Sequence, residues 1–160
     1  MAPAADPGSL PWRVRPLAAG DHDRWREHYA AYAAFYRSPL SDDQAGRTWS
    51  WLMDPGHPLY GLVVHRDDGP VAGLAHVRPF AEPLTATVAC FLDDLYVSPA
   101  DRGHGAGHAL LLALRELAAR QGWRTVTWLT APDNATARLL YDRLAEATTW
   151  VTYEMPAGQN

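Results

Sequence analysis

Three glycines within five residues, Gly103, Gly105 and Gly107, mark the segment of this chain with the clearest capacity for chemistry. They follow an apolar stretch that ends at Val97 and precede a run rich in leucine and alanine, so they form a turn between a strand and a helix. Glycine allows backbone angles and close approaches that a Cβ atom blocks. The N–H groups and positive dipole end of the helix can then bind phosphate oxygens, and Arg102 adds a fixed positive charge. The pattern predicts a pyrophosphate-binding turn.

The spacing of these glycines separates the turn from two familiar nucleotide-binding motifs. The dinucleotide fingerprint is Gly-x-Gly-x-x-Gly, and the last two glycines here are one residue too close together. A P-loop needs a lysine after its last glycine, and this chain contains no lysine. Both kinds of nucleotide-binding enzyme are therefore disfavoured. Tight binding of ATP or NAD without binding of coenzyme A would reinstate that hypothesis.

Two adjacent carboxylates, Asp93 and Asp94, interrupt the apolar strand just before the turn. Charges inside such a strand are costly unless they are paired or face a solvated cleft. Side-chain alternation puts them on opposite faces, so at most one points into a site unless a bulge intervenes. An alkylammonium has a pKa near ~10, so an amine nucleophile needs a group that accepts its proton. The pair predicts either a site for a cationic amine or a structural salt bridge to an arginine.

The other titratable residues carry weaker signals. His104 and His108 are four residues apart, but the general-base glutamate of His-Glu-x-x-His is missing and His104 lies in the turn, so we expect no metal site. We expect Cys90, the only cysteine, to be a small buried hydrophobe. One cysteine allows no internal disulfide, which indicates a reducing compartment and predicts a cytoplasmic protein.

Length, charge and hydropathy narrow the class further. The 160 residues suit one domain, and the net charge of -4 with no basic stripe argues against nucleic-acid binding. No apolar run approaches the ~20 residues that cross a bilayer, so nothing predicts a membrane partner. A mildly acidic surface is compatible with a cationic small substrate. We expect residues 1–11 to be a disordered tail, residues 12–156 one domain and residues 157–160 a short tail.

Apolar periodicity and turn residues predict ten elements in the order β-α-α-β-β-β-α-β-α-β, which is an α/β domain without an internal boundary. The expected elements are a strand at 13–17, a helix capped by Asp21, a helix begun by a Ser41–Gln44 capping box, strands at 60–65, 71–77 and 88–97, a helix at about 105–121 stopped by Gly122, a strand at 125–130, a helix at about 134–146 and a strand at 149–155.

The run Arg-Gly-x-Gly-x-Gly after a strand ending Leu-Tyr-Val resembles the GNAT superfamily of N-acetyltransferases. The segment Trp128-Leu-Thr-Ala-Pro-Asp-Asn-Ala-Thr-Ala-Arg-Leu-Leu-Tyr141 is similar to the second cofactor segment of that superfamily. The resemblance extends from about Arg13 to Met155 and implies a mixed central sheet flanked by helices, with acetyl-CoA as the cofactor. One departure is Ala147-Thr-Thr-Trp-Val, where most members read Gly-Phe, and it makes the acceptor side harder to place.

The resemblance also implies roles for particular residues. The backbone of Leu95 and Val97 pairs with the pantetheine arm, Asn134 contacts that arm, and Tyr141 is the acid that protonates the departing thiolate. The residues that wrap the pyrophosphate are Arg102, Gly103, His104, Gly105, Ala106, Gly107 and His108. Tyr96 and Ala137 belong to the same two cofactor segments.

For the acceptor, the resemblance points to the acidic pair. In polyamine acetyltransferases of this superfamily the matching carboxylates bind the substrate amine or act as the base, which implies Asp93 as base or amine anchor and Asp94 as its support. The first two helices of this fold cover the acceptor cleft. We therefore expect Phe35 and Tyr36 among the rings that line it, because π faces suit cations.

The function that follows is transfer of an acetyl group from acetyl-CoA to a primary amine by direct attack. A small amine of polyamine or amino-acid type is favoured over a protein lysine or N-terminus. The rival from another class is a non-catalytic acyl-CoA-binding module, which would have no need of Tyr141 and the acidic pair. Dimers are frequent in the superfamily, so a homodimer is an assembly to test.

Overall fold

A five-stranded sheet forms the centre of the computed structural model, which describes residues 11–158. The strands lie side by side in chain order, with β1 to β4 antiparallel and β5 parallel to β4. They are β1 (Trp12–Pro16), β2 (Tyr60–Arg66), β3 (Val71–Glu82), β4 (Thr87–Val97) and β5 (Val126–Thr127). The tails expected at residues 1–11 and 157–160 lie outside the described residues, apart from Pro11, Ala157 and Gly158.

Four helices accompany the sheet: α1 (His22–Phe35), α2 (Asp42–Met53), α3 (Ala106–Gln121) and α4 (Ala135–Tyr141). Helices α1 and α2 bury an aromatic core around Trp25 against Leu74 and Tyr96 on one face of the sheet. Helix α3 packs on the strands with its buried Leu110 and Leu114. The mixed α/β class expected from the sequence is thereby confirmed. The described chain divides after Leu129 into two compact units, and α4 belongs to the second.

The ends of three helices test the capping predictions. Ser41 and Gln44 form the expected capping box at α2, with reciprocal bonds of 3.1 and 2.9 Å, and Gly122 ends α3 in a left-handed conformation. Asp21 precedes α1, but its carboxylate does not cap the helix. It accepts two bonds from Arg15, at 2.7 and 2.8 Å, which lower the pKa of Asp21. The guanidinium therefore takes the oxygens that a cap would have used.

Strand β3 is longer than the sequence predicts. Its pairing with β2 ends at Tyr60 and Val77, whereas its pairing with β4 continues to Glu82 and Thr87. Pro79 lies in the part that has no β2 partner, so its missing N–H costs no ladder bond there. This extension carries Arg78 towards β4.

The last three predicted elements are shorter or missing. The strand expected at 125–130 reduces to Val126–Thr127, and the helix expected to reach Glu146 ends at Tyr141. The strand expected at 149–155 is wrong, because these residues have no strand pairing in the described structure. A strand needs neighbouring N–H and C=O partners, and the unit of residues 130–158 contains no other strand. Its apolar residues are exposed: Trp150, Val151, Tyr153 and Met155.

Helix lengths bear on membrane insertion. The longest described helix, α3, has 16 residues, and none in residues 11–158 has the length and apolarity to span a bilayer.

Candidate active site

The glycine-rich turn has the local geometry that phosphate binding requires. Gly103 and Gly105 have φ of +77° and +91°, a region that residues with a Cβ rarely adopt. Gly105 directly precedes α3 and carries no side chain to cap the helix. The first N–H groups of a helix have no carbonyl partner within it, so those of Ala106 and Gly107 can bind a ligand.

Two side chains hold this turn against the sheet. The Trp12 indole on β1 donates to the carbonyl of His104 at 2.6 Å. The Arg102 Nε donates to the carbonyl of Val97 at 2.9 Å, and its guanidinium lies 5.5 Å from the centre of the Tyr96 ring. The turn is therefore tied to β1 and to the end of β4, so its N–H groups keep a fixed direction.

The backbone of β4 presents an open edge beside the turn. Its parallel pairing with β5 ends at Phe91 and Thr127, while β4 continues to Val97. The Ser98 N–H donates to Ala72 on the β3 side at 2.8 Å. Backbone N–H and C=O groups point to alternate sides along a strand, so those of Val97 and Leu95 point away from β3, to the edge that β5 leaves open.

A β-bulge lies where β4 carries its two aspartates. Asp94 is opposite His76 and Leu92 is opposite Val77, which leaves Asp93 as the extra residue. A bulge lets successive side chains leave the strand on one side. Asp93 and Asp94 accordingly both bond to β3 side chains on the face that α1 covers. Simple alternation predicted that at most one of them would point into a site, and the bulge is the reason that both lie on the same face.

Each aspartate has its own partner. Arg78 donates its Nε–H to Asp93, at 3.2 and 3.0 Å from the two carboxylate oxygens. The His76 Nδ1 lies 2.7 Å from Asp94 Oδ2, and the Trp25 indole donates to His76 Nε2 at 2.9 Å. The sequence offered no signal that marked His76 or Arg78, since the first lies in the apolar strand predicted at 71–77 and the second just after it. Their contacts with the aspartates depend on the register between β3 and β4.

Electrostatics in this cluster follow from burial and the two carboxylates. Burial raises the pKa of Asp93, although Arg78 opposes that shift. Burial and then the Asp94 carboxylate raise the pKa of Tyr29 and of Tyr32. The Tyr32 hydroxyl also lies 3.4 Å from the Asp93 carbonyl oxygen. We call Asp93, Asp94, Tyr29, Tyr32 and Arg78 the acidic cleft.

The two aromatic residues predicted for the acceptor side lie at the end of α1. Phe35 and Tyr36 are 59% and 47% exposed, and their rings meet edge to face at 5.0 Å. The Tyr36 ring lies 5.0 Å from that of Tyr32, so this pair continues the aromatic wall of the acidic cleft outwards. Their part in substrate binding stays a prediction.

Three predicted residues belong to the second unit, which we describe by itself. Asn134 directly precedes α4, and its side-chain amide donates to Thr130 Oγ1 at 3.2 Å. Ala137 lies within α4 and Tyr141 is its last residue. Their roles toward the cofactor stay predictions.

Two further observations concern residues outside these clusters. Cys90 is buried in β4, and burial raises the pKa of its thiol to about 11. Within residues 11–158, no group of three or more His, Cys, Asp or Glu side chains lies close enough together to hold a metal ion.

Comparison with known proteins identifies the family. The Acetyltransferase (GNAT) family model matches residues 23–145, well over half of the chain. The chain is 27% identical over 142 residues to the D-amino-acid N-acetyltransferase HPA3 of Saccharomyces cerevisiae, which covers 88% of each protein.

Solved structures agree on the fold. The chain is similar to the ribosomal-protein-alanine N-acetyltransferase of Brucella melitensis biovar Abortus 2308, with a TM-score of 0.75 and 23% identity over 91% of this chain and 99% of that one. It is also similar to AAC(6')-Iy in complex with a CoA bisubstrate analog, with a TM-score of 0.76 and 17% identity over 92% and 99% of the chains. The match to the family model and the shared fold confirm the resemblance seen in the sequence: this chain belongs to the GNAT family and is an acyl-CoA-dependent N-acetyltransferase.

Proposed function

We propose that this enzyme transfers the acetyl group of acetyl-CoA to the primary amine of a small molecule by direct attack. The observation that carries the proposal is the acidic cleft, where the bulge turns Asp93 and Asp94 to the same face beside Tyr29 and Tyr32. Two carboxylates bordered by aromatic rings suit a cationic amine.

The residues beside this cleft fit coenzyme A. The open edge of β4 offers the backbone of Leu95 and the N–H of Val97 to an amide-bearing arm, because the pairing with β5 has already ended and the Val97 carbonyl accepts from Arg102. A Cβ atom built on Gly103 meets no atom within 4 Å, so the glycine faces free space where a pyrophosphate can approach. The turn from Arg102 to His108 would hold the phosphates. For Asn134 and Ala137, in the second unit, a role toward the cofactor rests on the family resemblance alone. When bound, acetyl-CoA supplies an acetyl group activated as a thioester.

Proton transfer is assigned to the chain's own side chains. Asp93 accepts the proton of the substrate ammonium. Its raised pKa makes it a stronger base than an ordinary carboxylate, because the pKa lies nearer to that of the ammonium group. Asp94 supports the amine beside it. Tyr141 is proposed to hold the proton that the coenzyme thiolate takes up on leaving, a role that rests on the family resemblance.

Arg78 favours one kind of small amine. Both of its contacts with Asp93 go through Nε, which leaves the terminal Nη groups outside this ion pair. A carboxylate-bearing acceptor such as an amino acid can use these donors, whereas a polyamine would bring a second cation towards a guanidinium. The similarity to a D-amino-acid N-acetyltransferase agrees with this choice.

An acceptor panel tests the proposal. Loss of thioester absorbance is measured with D- and L-amino acids, their amides, polyamines and a lysine-containing peptide. We expect turnover with small amines and the highest kcat/KM with free amino acids. Turnover with the peptide alone would assign the enzyme to proteins, and tight acetyl-CoA binding without turnover on any amine would contradict the proposal.

Replacing Tyr141 with Phe separates the enzyme from a non-catalytic acyl-CoA-binding module. We expect kcat to fall by about 10²-fold, the lower range for loss of a general acid, while acetyl-CoA affinity stays nearly constant. An unchanged kcat would remove Tyr141 from the reaction.

A further inference from the structure

A buried chain of three side chains runs from α1 to the acidic cleft. The Trp25 Nε1 donates to His76 Nε2 at 2.9 Å, and His76 Nδ1 lies 2.7 Å from Asp94 Oδ2. Trp25 and His76 are 0% and 1% exposed, so neither ring exchanges these bonds for water. The two hydrogen bonds of the His76 ring are therefore coupled, because the proton position that satisfies one of them also determines the other.

The two partners of His76 determine where the imidazole proton lies. An indole N–H only donates, so His76 Nε2 must present its lone pair. A carboxylate only accepts, so the ring proton resides on Nδ1 and is donated to Asp94. Trp25 and Asp94 together therefore select one tautomer of His76.

From this geometry we infer that Trp25 and His76 are positioning residues that fix Asp94 as the anchor of the substrate ammonium and leave Asp93 to accept its proton. The inference rests on the proposed function. The family resemblance implied Asp93 as either base or amine anchor with Asp94 as its support, and the inference gives the anchor role to Asp94.

The path of the proton supports this division. His76 cannot take a proton on from Asp94, because its Nδ1 already carries one and its Nε2 is occupied by the indole. The chain behind Asp94 is therefore closed to proton transfer. The Asp93 carboxylate accepts from Arg78, a cation that holds its own protons, and 29% of the Asp93 side chain is exposed, against 18% for Asp94. Asp93 can thus pass a proton to water.

Neighbouring rings keep the anchor in place. The Tyr29 ring stands edge-on to His76 at 4.9 Å, and the Trp49 ring lies 4.9 Å from that of Trp25. Tyr29 thus restricts the imidazole and Trp49 restricts the indole, so the side chains behind Asp94 are held in one arrangement.

The direct test is the tautomer. With ¹⁵N-labelled histidine at one neutral pH, His76 should show a pyrrole-type Nδ1 and a pyridine-type Nε2, assigned by the signal that His76→Asn removes. Trp25→Phe keeps an aromatic ring but lacks the donor, so the Nε2 signal should move away from the pyridine type, while Nδ1 stays pyrrole-type because Asp94 still accepts from it. A proton on Nε2 in the wild-type enzyme would overturn the inference whatever the enzyme acetylates.

Kinetics test the consequence. We expect Trp25→Phe and His76→Leu to raise the KM of the amine about tenfold, as for loss of a hydrogen bond to a charged group, with kcat and the KM of acetyl-CoA changed much less. His76→Asn, whose amide nitrogen replaces Nδ1, should restore most of the amine affinity. An amine KM unaffected by His76→Leu, or a loss confined to kcat, would overturn the anchor role.

A matched control separates this effect from general loss of packing. Trp123 is partly buried and contacts Tyr60 away from the acidic cleft, so Trp123→Phe should leave the amine KM unchanged. Absence of turnover with every amine would contradict the proposed function, while the tautomer measurement would still decide the hydrogen-bond chain.

Discussion

At Asp93 two opposing influences act on a single carboxyl group. Burial raises its pKa, while the guanidinium of Arg78 opposes that rise. In the proposed reaction the carboxylate form accepts the proton, so we expect activity above this raised pKa and a decline as the pH falls through it. Arg78 should thereby set the pH range of the reaction.

We expect Asp93→Asn to lower kcat by about 10²-fold or more, as for loss of a general base. The acid limb of the kcat/KM profile should disappear with it, because the amide does not titrate in this range. Profiles recorded from about pH 4.5 to about pH 8 would show both effects. Asp23→Asn is the control, since that side chain is fully exposed in the first turn of α1. Full activity of Asp93→Asn would exclude this carboxylate as the base.

Arg78→Gln should shift the acid limb to higher pH, since it removes the cation that opposes the rise in the pKa of Asp93. The same profiles measure the shift. A displacement to lower pH, or none, would mean that another group controls the limb.

At the scale of elements, two glycines form a matched pair. Gly103 in the turn and Gly122 at the end of α3 have φ of +77° and +70°, and a Cβ atom on either meets nothing within 4 Å. Alanine at each position should cost about 1 kcal/mol of the free energy of unfolding, because the left-handed conformation disfavours a Cβ. Only Gly103→Ala should weaken coenzyme A binding, as measured by calorimetry. Equal loss of affinity in both variants would argue against the turn as the phosphate site.

The sequence predicts the elements whose signals are local. The glycine turn, the Ser41–Gln44 cap and the stop at Gly122 depend on neighbouring residues alone, and they were found. The extension of β3 past Pro79 was missed because a proline is tolerated only where one edge is unpaired, which depends on how far β2 reaches.

The features that the sequence did not predict depend on pairings between distant strands. The partners of Asp94 and Asp93 come from β3, some fifteen to eighteen positions earlier, and depend on the register of the bulge. The strand expected at 149–155 failed for the same reason, since alternation alone supplies no pairing partner.

At the scale of the whole molecule, one strand contributes to both proposed sites. Strand β4 carries the aspartates of the acidic cleft and the open backbone edge beside the glycine turn. It also contains Cys90, which is completely buried. The rate at which a reagent labels this thiol should therefore report opening of the sheet.

We expect Cys90 to resist a disulfide-forming reagent at about pH 8 in the folded enzyme, since reaction needs access and a thiolate, and burial raises its pKa to about 11. Denaturant should expose one reactive thiol per chain. Saturating acetyl-CoA should slow labelling at intermediate denaturant, because a ligand of the folded state suppresses opening. Rapid labelling without denaturant would show that β4 is not the stable centre of the sheet.

The bulge at Asp93 determines how β4 would respond to a change in length. Cys90, before the bulge, donates its N–H to the β5 side, whereas Ser98, after it, donates to β3. Deleting the extra residue would straighten the strand while its pairing with β3 on either side stays in place, so the backbone from Leu95 to Val97 would keep its direction. One carboxylate would be lost from the acidic cleft. A single-codon deletion at the bulge should therefore separate the two proposed sites, because it removes an acidic group from the acceptor side and leaves the open edge beside the glycine turn.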